Sequence, residues 1–229
     1  MPNITNRLFV IEGGDGSGKA TQVAILNEVL SGQGHAVSIF DFPQYESSVF
    51  GKLCGEALKG DHGDFRNMSP YLASLPYSLD RLSAKEKMLE ALNNGIVLCN
   101  RYTPSNVAFQ ASKLSGKSRA KFIDFLEHAE YSVLGLPKPT AVIYLYVPMT
   151  IASDLVGRKD VRKHLGKKQG IKDQHEKALG FQKSVAKTYA SLAKSRKDWK
   201  MINCAQSGNL LPKEEIHSHI LREVEKLLA

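Results

Sequence analysis

The sequence predicts an α/β fold with a doubly wound parallel sheet. Two observations carry that expectation: apolar runs of buried-strand length recur along the chain, and helix-period segments lie between them. The 229 residues, 42% of them hydrophobic, suffice for one sizeable core, and no composition break divides the chain, so one domain over 1–229 is expected.

The first strand is read at Leu8–Ile11 and runs into Gly13-Gly14-Asp15-Gly16-Ser17-Gly18-Lys19-Ala20-Thr21. Glycines at this spacing let the backbone turn tightly and aim its N–H groups inward, and the helix expected over Gln22–Leu30 offers its positive end. Lys19 can reach the terminal phosphates of a nucleotide, so the stretch reads as a phosphate-binding P-loop. It departs from the usual pattern at Ala20, where a magnesium-ligating hydroxyl is expected; Thr21 comes one place later. Asp15 is an unusual carboxylate beside bound phosphates, which it would repel unless it faces a metal or a sugar hydroxyl.

Further strands are read at Val37–Phe42, Ile96–Cys99, Ala141–Val147 and Trp199–Ile202. Long helices are expected from Ser69 to Asn93, with Ser69-Pro70 as cap and first turn, and from Asp173 to Ala193, where Ala178, Phe181, Val185, Tyr189 and Leu192 form an apolar stripe. A last helix is read from Lys213 to Leu228, after Leu211-Pro212. Ligands of such sheets gather at the carboxyl ends of the strands, which draws attention to Phe42-Pro43-Gln44-Tyr45, to Asn100-Arg101-Tyr102 and to the segment after Pro148.

The net charge of +8 calls for an anionic partner. Arg158, Lys159, Arg162, Lys163, Lys167, Lys168 and Lys172 crowd one glycine-containing segment without aromatic residues among them. That composition suits a lid over phosphates at about 157–173 better than a single-strand nucleic-acid platform. No apolar run of membrane-spanning length and no signal-peptide layout is seen, so a soluble, cytoplasmic protein with no membrane or nucleic-acid partner is expected. Cys54, Cys99 and Cys204 show no metal-ligand spacing and are expected to be buried, reduced thiols.

Phe42, Pro43 and Tyr45, the Asp80-Arg81 pair, and Arg101-Tyr102-Thr103-Pro104-Ser105-Asn106 suggest a second, acceptor site. Arginine presents a planar fork for a phosphate or a base carbonyl, and an aromatic ring stacks on a base, so the acceptor is read as a nucleotide or nucleoside.

In order, Glu12 to Lys19, Phe42-Pro43-Gln44-Tyr45, Leu79-Asp80-Arg81, Arg101-Tyr102 with Ser105-Asn106, Gly135-Leu136-Pro137-Lys138-Pro139, and Gln174-His175-Glu176 before Phe181-Gln182 make the chain resemble the thymidylate kinases nearly end to end. The resemblance implies the three-layer P-loop kinase fold, with a five-stranded parallel sheet flanked by helices. It also implies phosphoryl transfer from ATP to dTMP with Mg²⁺, and a homodimer whose surface could come from Val49–Leu58 and Phe122–Leu126. Residue by residue, it assigns Gly13 to Thr21 to ATP, with Lys19 on the phosphates, and Asp15 to the acceptor sugar or Mg²⁺. Arg101 falls to the acceptor phosphate, Tyr77 to stacking on thymine, Arg81 to a base carbonyl, and Asn106 to the base edge. Phe109 falls beside the sugar 2′ position, and Phe42, Pro43, Tyr45, Ser105 and Gln110 to the pocket lining. Because Gly16 follows Asp15, the catalytic arginine is expected in the basic lid, at Arg158 or alternatively Arg162.

Asn100 stands where this family usually has an acidic residue, and His175 where it usually has a tyrosine. A phosphate acceptor is already largely ionised, so no strong base is required at Asn100. Other readings are a thymidine kinase, another nucleoside monophosphate kinase or one accepting dUMP as well, a regulatory GTPase, disfavoured for want of an Asn-Lys-x-Asp motif, and a nucleic-acid module.

Overall fold

In the computed structural model, residues 7–64, 67–152 and 171–228 are described. Strand β1 (Leu8–Gly13) leads into α1 (Lys19–Gly32), followed by β2 (Val37–Asp41), α2 (Val49–Lys59), α3 (Pro70–Asn94) and β3 (Ile96–Asn100). Then come α4 (Thr103–Ala111), α5 (Gly116–Glu127) with a π-helical turn at His128–Val133, β4 (Ala141–Tyr146), α6 (Ile171–Ser195), β5 (Trp199–Asn203), a small hairpin of β6 (Ala205–Gln206) and β7 (Asn209–Leu210), and α7 (Lys213–Leu228).

The strands Leu8–Gly13 to Trp199–Asn203 form one five-stranded sheet in the order β2-β3-β1-β4-β5, parallel throughout. Side chains alternate across it. Leu8 and Val10 point with Val97, Cys99, Val142 and Tyr144 into a core closed by α3, α4, α5 and α6, including Met88, Val107, Phe122 and Tyr189. Phe9 and Ile11 point with Leu98 and Ile143 into the opposite core, closed by Leu26 and Leu30 of α1 and by Ile220 and Val224 of α7. Both faces of the central strands β1, β3 and β4 are covered, which is why these strands read as continuous apolar runs, whereas edge strand β2 is partly exposed.

The five expected strands and the helices expected over Gln22–Leu30, Ser69–Asn93, Asp173–Ala193 and Lys213–Leu228 are present, with ends that coincide or shift by up to three residues. Helix α3 carries Pro70 in its first turn, although Ser69 makes no side-chain cap. The helices α2, α4 and α5, the π turn and the hairpin had no clear sequence signal. Gly51 shows why α2 sits where it does: a Cβ there would lie 2.1 Å from the Gln44 carbonyl oxygen, so only glycine lets the helix approach the β2–α2 loop. Cys54, Cys99 and Cys204 are buried free thiols, and burial pushes Cys54 and Cys204 up to about 12.

The segment Phe122–Leu126, read as possible interface, divides between core and surface. Phe122 and Leu126 are buried, whereas Phe125 is 42% exposed. Phe122 meets Tyr71 edge-on at 5.1 Å. Phe122→Ala is expected to cost about 3–5 kcal/mol in urea unfolding, as core aromatic truncations do. The loss should be independent of protein concentration, while Phe125→Ala stays within about 1 kcal/mol.

Candidate active site

The glycine-rich turn closes over the end of β1. Gly16 and Gly18 adopt φ of 77° and 85°, the left-handed region that L side chains avoid, and Gly18 caps α1. Helix α1 starts at Lys19, so the first-turn N–H groups and the positive helix end face the loop. Lys19 Nζ donates to the carbonyls of Gly13 (3.1 Å) and Gly14 (2.7 Å), which hold the ammonium group over the loop mouth. This arrangement of amides, dipole and ammonium can bind phosphate oxygens. Ser17 is buried within the turn, while Ala20 and Thr21 are exposed.

A fully buried carboxylate, Glu12, sits immediately before the loop. It accepts from the backbone N–H groups of Tyr102 (2.9 Å) and Ser105 (3.0 Å), from Ser105 Oγ (2.6 Å) and from Tyr189 Oη on α6 (2.7 Å). Thus β1 is fastened to the start of α4 and to α6. Between them Arg101 is held at φ 64°, an uncommon conformation for a side-chain-bearing residue and one that concentrates at functional sites. Its guanidinium donates to Asp15 Oδ1 at 2.6 Å and lies 5.4 Å from the Phe109 ring centre.

Beyond this pair opens a cavity of about 240 Å³, a size for a small planar ligand rather than a macromolecule. Every acceptor-site residue expected from the sequence lines it: Asp15, Phe42, Pro43, Tyr45, Tyr77, Arg81, Arg101, Ser105, Asn106, Phe109 and Gln110. Tyr102, within the Arg101–Asn106 stretch read as part of that site, lines it too, and Leu58, Lys113 and Phe181 line it without having been anticipated. The Phe42–Pro43 bond is cis. Gln44 is turned away from the cavity, its N–H groups donating to the buried Asp80 carboxylate.

The floor is organised by Glu130, which sequence reading missed. Glu130 is fully buried and receives Ser78 Oγ (2.7 Å), Thr103 Oγ1 (2.6 Å), Asn106 Nδ2 (3.0 Å) and a two-pronged contact from Arg81, whose Nε lies at 2.8 Å. Burial by itself raises the Glu130 carboxyl, but the Arg81 charge and hydrogen bonds from Arg81, Thr103 and Ser78 outweigh it, so its pKa falls below 4.5. Asn106 Nδ2 also donates to the Ser74 carbonyl at 3.1 Å, which fixes the amide orientation and leaves Oδ1 buried without a partner. Gln110 Oε1 is likewise buried and unpartnered. A buried acceptor without a donor costs about 1–3 kcal/mol, so these two oxygens mark where a ligand donor would be welcomed.

The lid arginines Arg158 and Arg162 lie outside the described residues, as does the His175 side chain. Among the described residues no cluster of three or more His, Cys, Asp or Glu could hold a metal, and no helix is long and apolar enough to cross a membrane.

Comparison with known proteins identifies relatives along most of the chain. A protein 31% identical over 188 residues, covering 81% of this chain and 85% of its own length, is a thymidylate kinase of Mycobacterium tuberculosis. An Arabidopsis thaliana thymidylate kinase is 30% identical over 96% of this chain and 72% of its own, and the human one 27% identical over 87% and 83%. The solved thymidylate kinase of Candida albicans shares the fold, with a TM-score of 0.70 at 22% identity over 96% of this chain and 92% of that one. The thymidylate kinase family model matches residues 11–220, and with these relatives it shows that the chain belongs to the thymidylate kinase family.

Proposed function

We propose that the chain transfers the γ-phosphoryl group of ATP to dTMP, giving dTDP and ADP. The observation that carries this reading is the Asp15–Arg101 bridge: one residue belongs to the phosphate loop and the other to the acceptor cavity, so the two sites share an edge. A two-nucleotide phosphotransferase needs that juxtaposition, and a switch GTPase does not.

Lys19 and the loop amides hold the donor phosphates. Arg101, partly exposed and paired to an exposed carboxylate, exchanges Asp15 for the acceptor phosphate at small cost. In the cavity Tyr77 stacks on the base, the unpartnered Asn106 Oδ1 accepts from the base N–H, and Arg81 reaches a base carbonyl with the nitrogen that Glu130 leaves uncommitted. Phe109 crowds the sugar 2′ position, and Phe42, Pro43, Tyr45, Ser105 and Gln110 complete the walls. The acceptor oxygen is already ionised, so positioning and charge replace a general base.

The residues present fit a hydrated magnesium ion: Asn100 Oδ1, at the carboxyl end of β3, is buried with no hydrogen-bond partner. Such an ion would supply positive charge against the phosphate oxygens during transfer. Asp15 is a further carboxylate at the loop, though its Oδ1 is engaged by Arg101. The remaining cationic group for transfer is Arg158 of the basic segment. For assembly, Val49 (80% exposed), Leu72 (58%) and Phe125 (42%) offer apolar surface on α2, α3 and α5 for a homodimer.

Three outcomes test this reading. ADP release measured across dTMP, dUMP, dCMP, dGMP, AMP and thymidine should be highest with dTMP; turnover of AMP or thymidine without dTMP overturns it. Arg158→Ala should depress kcat by about 10³- to 10⁵-fold, the worth of a transition-state arginine, with dTMP KM little changed, and a KM effect alone removes Arg158 from the transition state. Glu130→Gln leaves Arg81 buried without its counter-charge and should destabilise the fold by about 3–5 kcal/mol. Because the folded pKa of Glu130 lies below the unfolded 4.5, the stability it contributes is present above that value and is lost as pH falls through the folded one. Acid unfolding of Glu130→Gln should therefore be flatter below about pH 4.5 than that of the wild type.

A further inference from the structure

Strands β2 and β3 run parallel with Asp41 opposite Asn100 at their carboxyl ends, and Asn100 is in turn opposite Ile11 of β1, just before the phosphate loop. Side chains two apart on a strand share a face, so Asn100 projects on the side of Leu98, which is the side that α1 covers. The Asn100 amide donates from Nδ2 to Asp41 Oδ1 at 2.9 Å. A carboxylate only accepts, so this bond fixes which way the amide faces: Oδ1 is the atom left over, and it is buried without a partner.

Two features of the loop leave a coordination role unfilled. Ala20 has no side-chain oxygen, and Asp15 is paired with Arg101. Asn100 has an acceptor but no charge, and the carboxylate hydrogen-bonded to it is Asp41, one strand further out. Magnesium in nucleotide sites keeps several waters and takes few protein ligands, so a carboxylate and an amide oxygen acting through bound water are sufficient.

We propose that Asp41 and Asn100 together seat the hydrated magnesium ion of the donor nucleotide, Asp41 supplying the negative charge and fixing the amide, and Asn100 Oδ1 accepting from a metal-bound water. This rests on the reading of the loop as a Mg·ATP site. Partners that orient a metal's bound ligands carry roughly 10- to 100-fold in metal affinity. The exposed rim position of Asp41 means that its replacement need not disturb the core.

The test is binding, measured without turnover. Mn²⁺ affinity in the presence of ADP is read by electron paramagnetic resonance, and ADP affinity is read by calorimetry in EDTA and in Mg²⁺. Asp41→Asn, with Asp41→Ser as a second variant, should bind ADP in EDTA like the wild type but weaken Mn²⁺ by about 10- to 100-fold. Asn100→Asp placed in the Asp41→Asn background should restore most of that affinity by returning a carboxylate to the site. Unchanged Mn²⁺ affinity in Asp41→Asn, or equal loss of ADP in EDTA and in Mg²⁺, overturns the proposal while leaving the kinase reading standing. A wild-type protein that binds no ADP in either condition overturns both.

Discussion

The buried carboxylate of Glu12 is the constraint around which the nucleotide site is arranged. A charge with no exposure is tolerated only when its oxygens are filled, and Glu12 draws its donors from two backbone N–H groups at the start of α4, from Ser105 and from Tyr189. To bring the Tyr102 N–H onto this carboxylate, the chain leaving β3 has to turn sharply back towards β1. Arg101 N–H meets the Ile11 carbonyl at 3.1 Å, and Arg101 itself is left at φ 64°. The unusual backbone and the inward aim of the guanidinium therefore share one cause. The α4 N-terminus contributes its dipole as well, favouring a negative charge at that place. Since Glu12 immediately precedes Gly13, the phosphate loop, the acceptor arginine and α6 are positioned by a single side chain.

The elements legible in the sequence are those whose burial leaves a period. Strands covered on both faces show as uninterrupted apolar runs, and α6 and α7 show apolar stripes at helical spacing. Helix α4 has a weaker pattern because nearly all of Thr103–Ala111 is buried, polar Asn106 and Gln110 included, so no polar face alternates with an apolar one. Helix α2 is packed through glycine at Gly51, which carries no hydropathy signal. At the site, residues recognisable by type and order were legible: the glycine loop, Arg101, and the aromatic lining. Glu130 was not, since an acidic residue in a mixed helical segment looks like surface, and only its tertiary encounter with Arg81, Ser78, Thr103 and Asn106 makes it structural.

Burial also sorts the two cavity arginines into different kinds of work. Arg81 and Glu130 have side chains 3% and 0% exposed, and separating them would strand charges in a dry interior. Arg81 is therefore a fixed wall, able to present a constant hydrogen-bond edge to a planar base but unable to follow a moving group. Arg101 and Asp15 have side chains 20% and 52% exposed, so their pair is screened by water and worth about 0–1 kcal/mol. An arginine so lightly held can exchange its carboxylate partner for another anion without large loss. On the proposed reading, the same residue type serves recognition where it is immobile and phosphate handling where it is exchangeable, and the difference follows from solvent access to its partner rather than from the arginine itself.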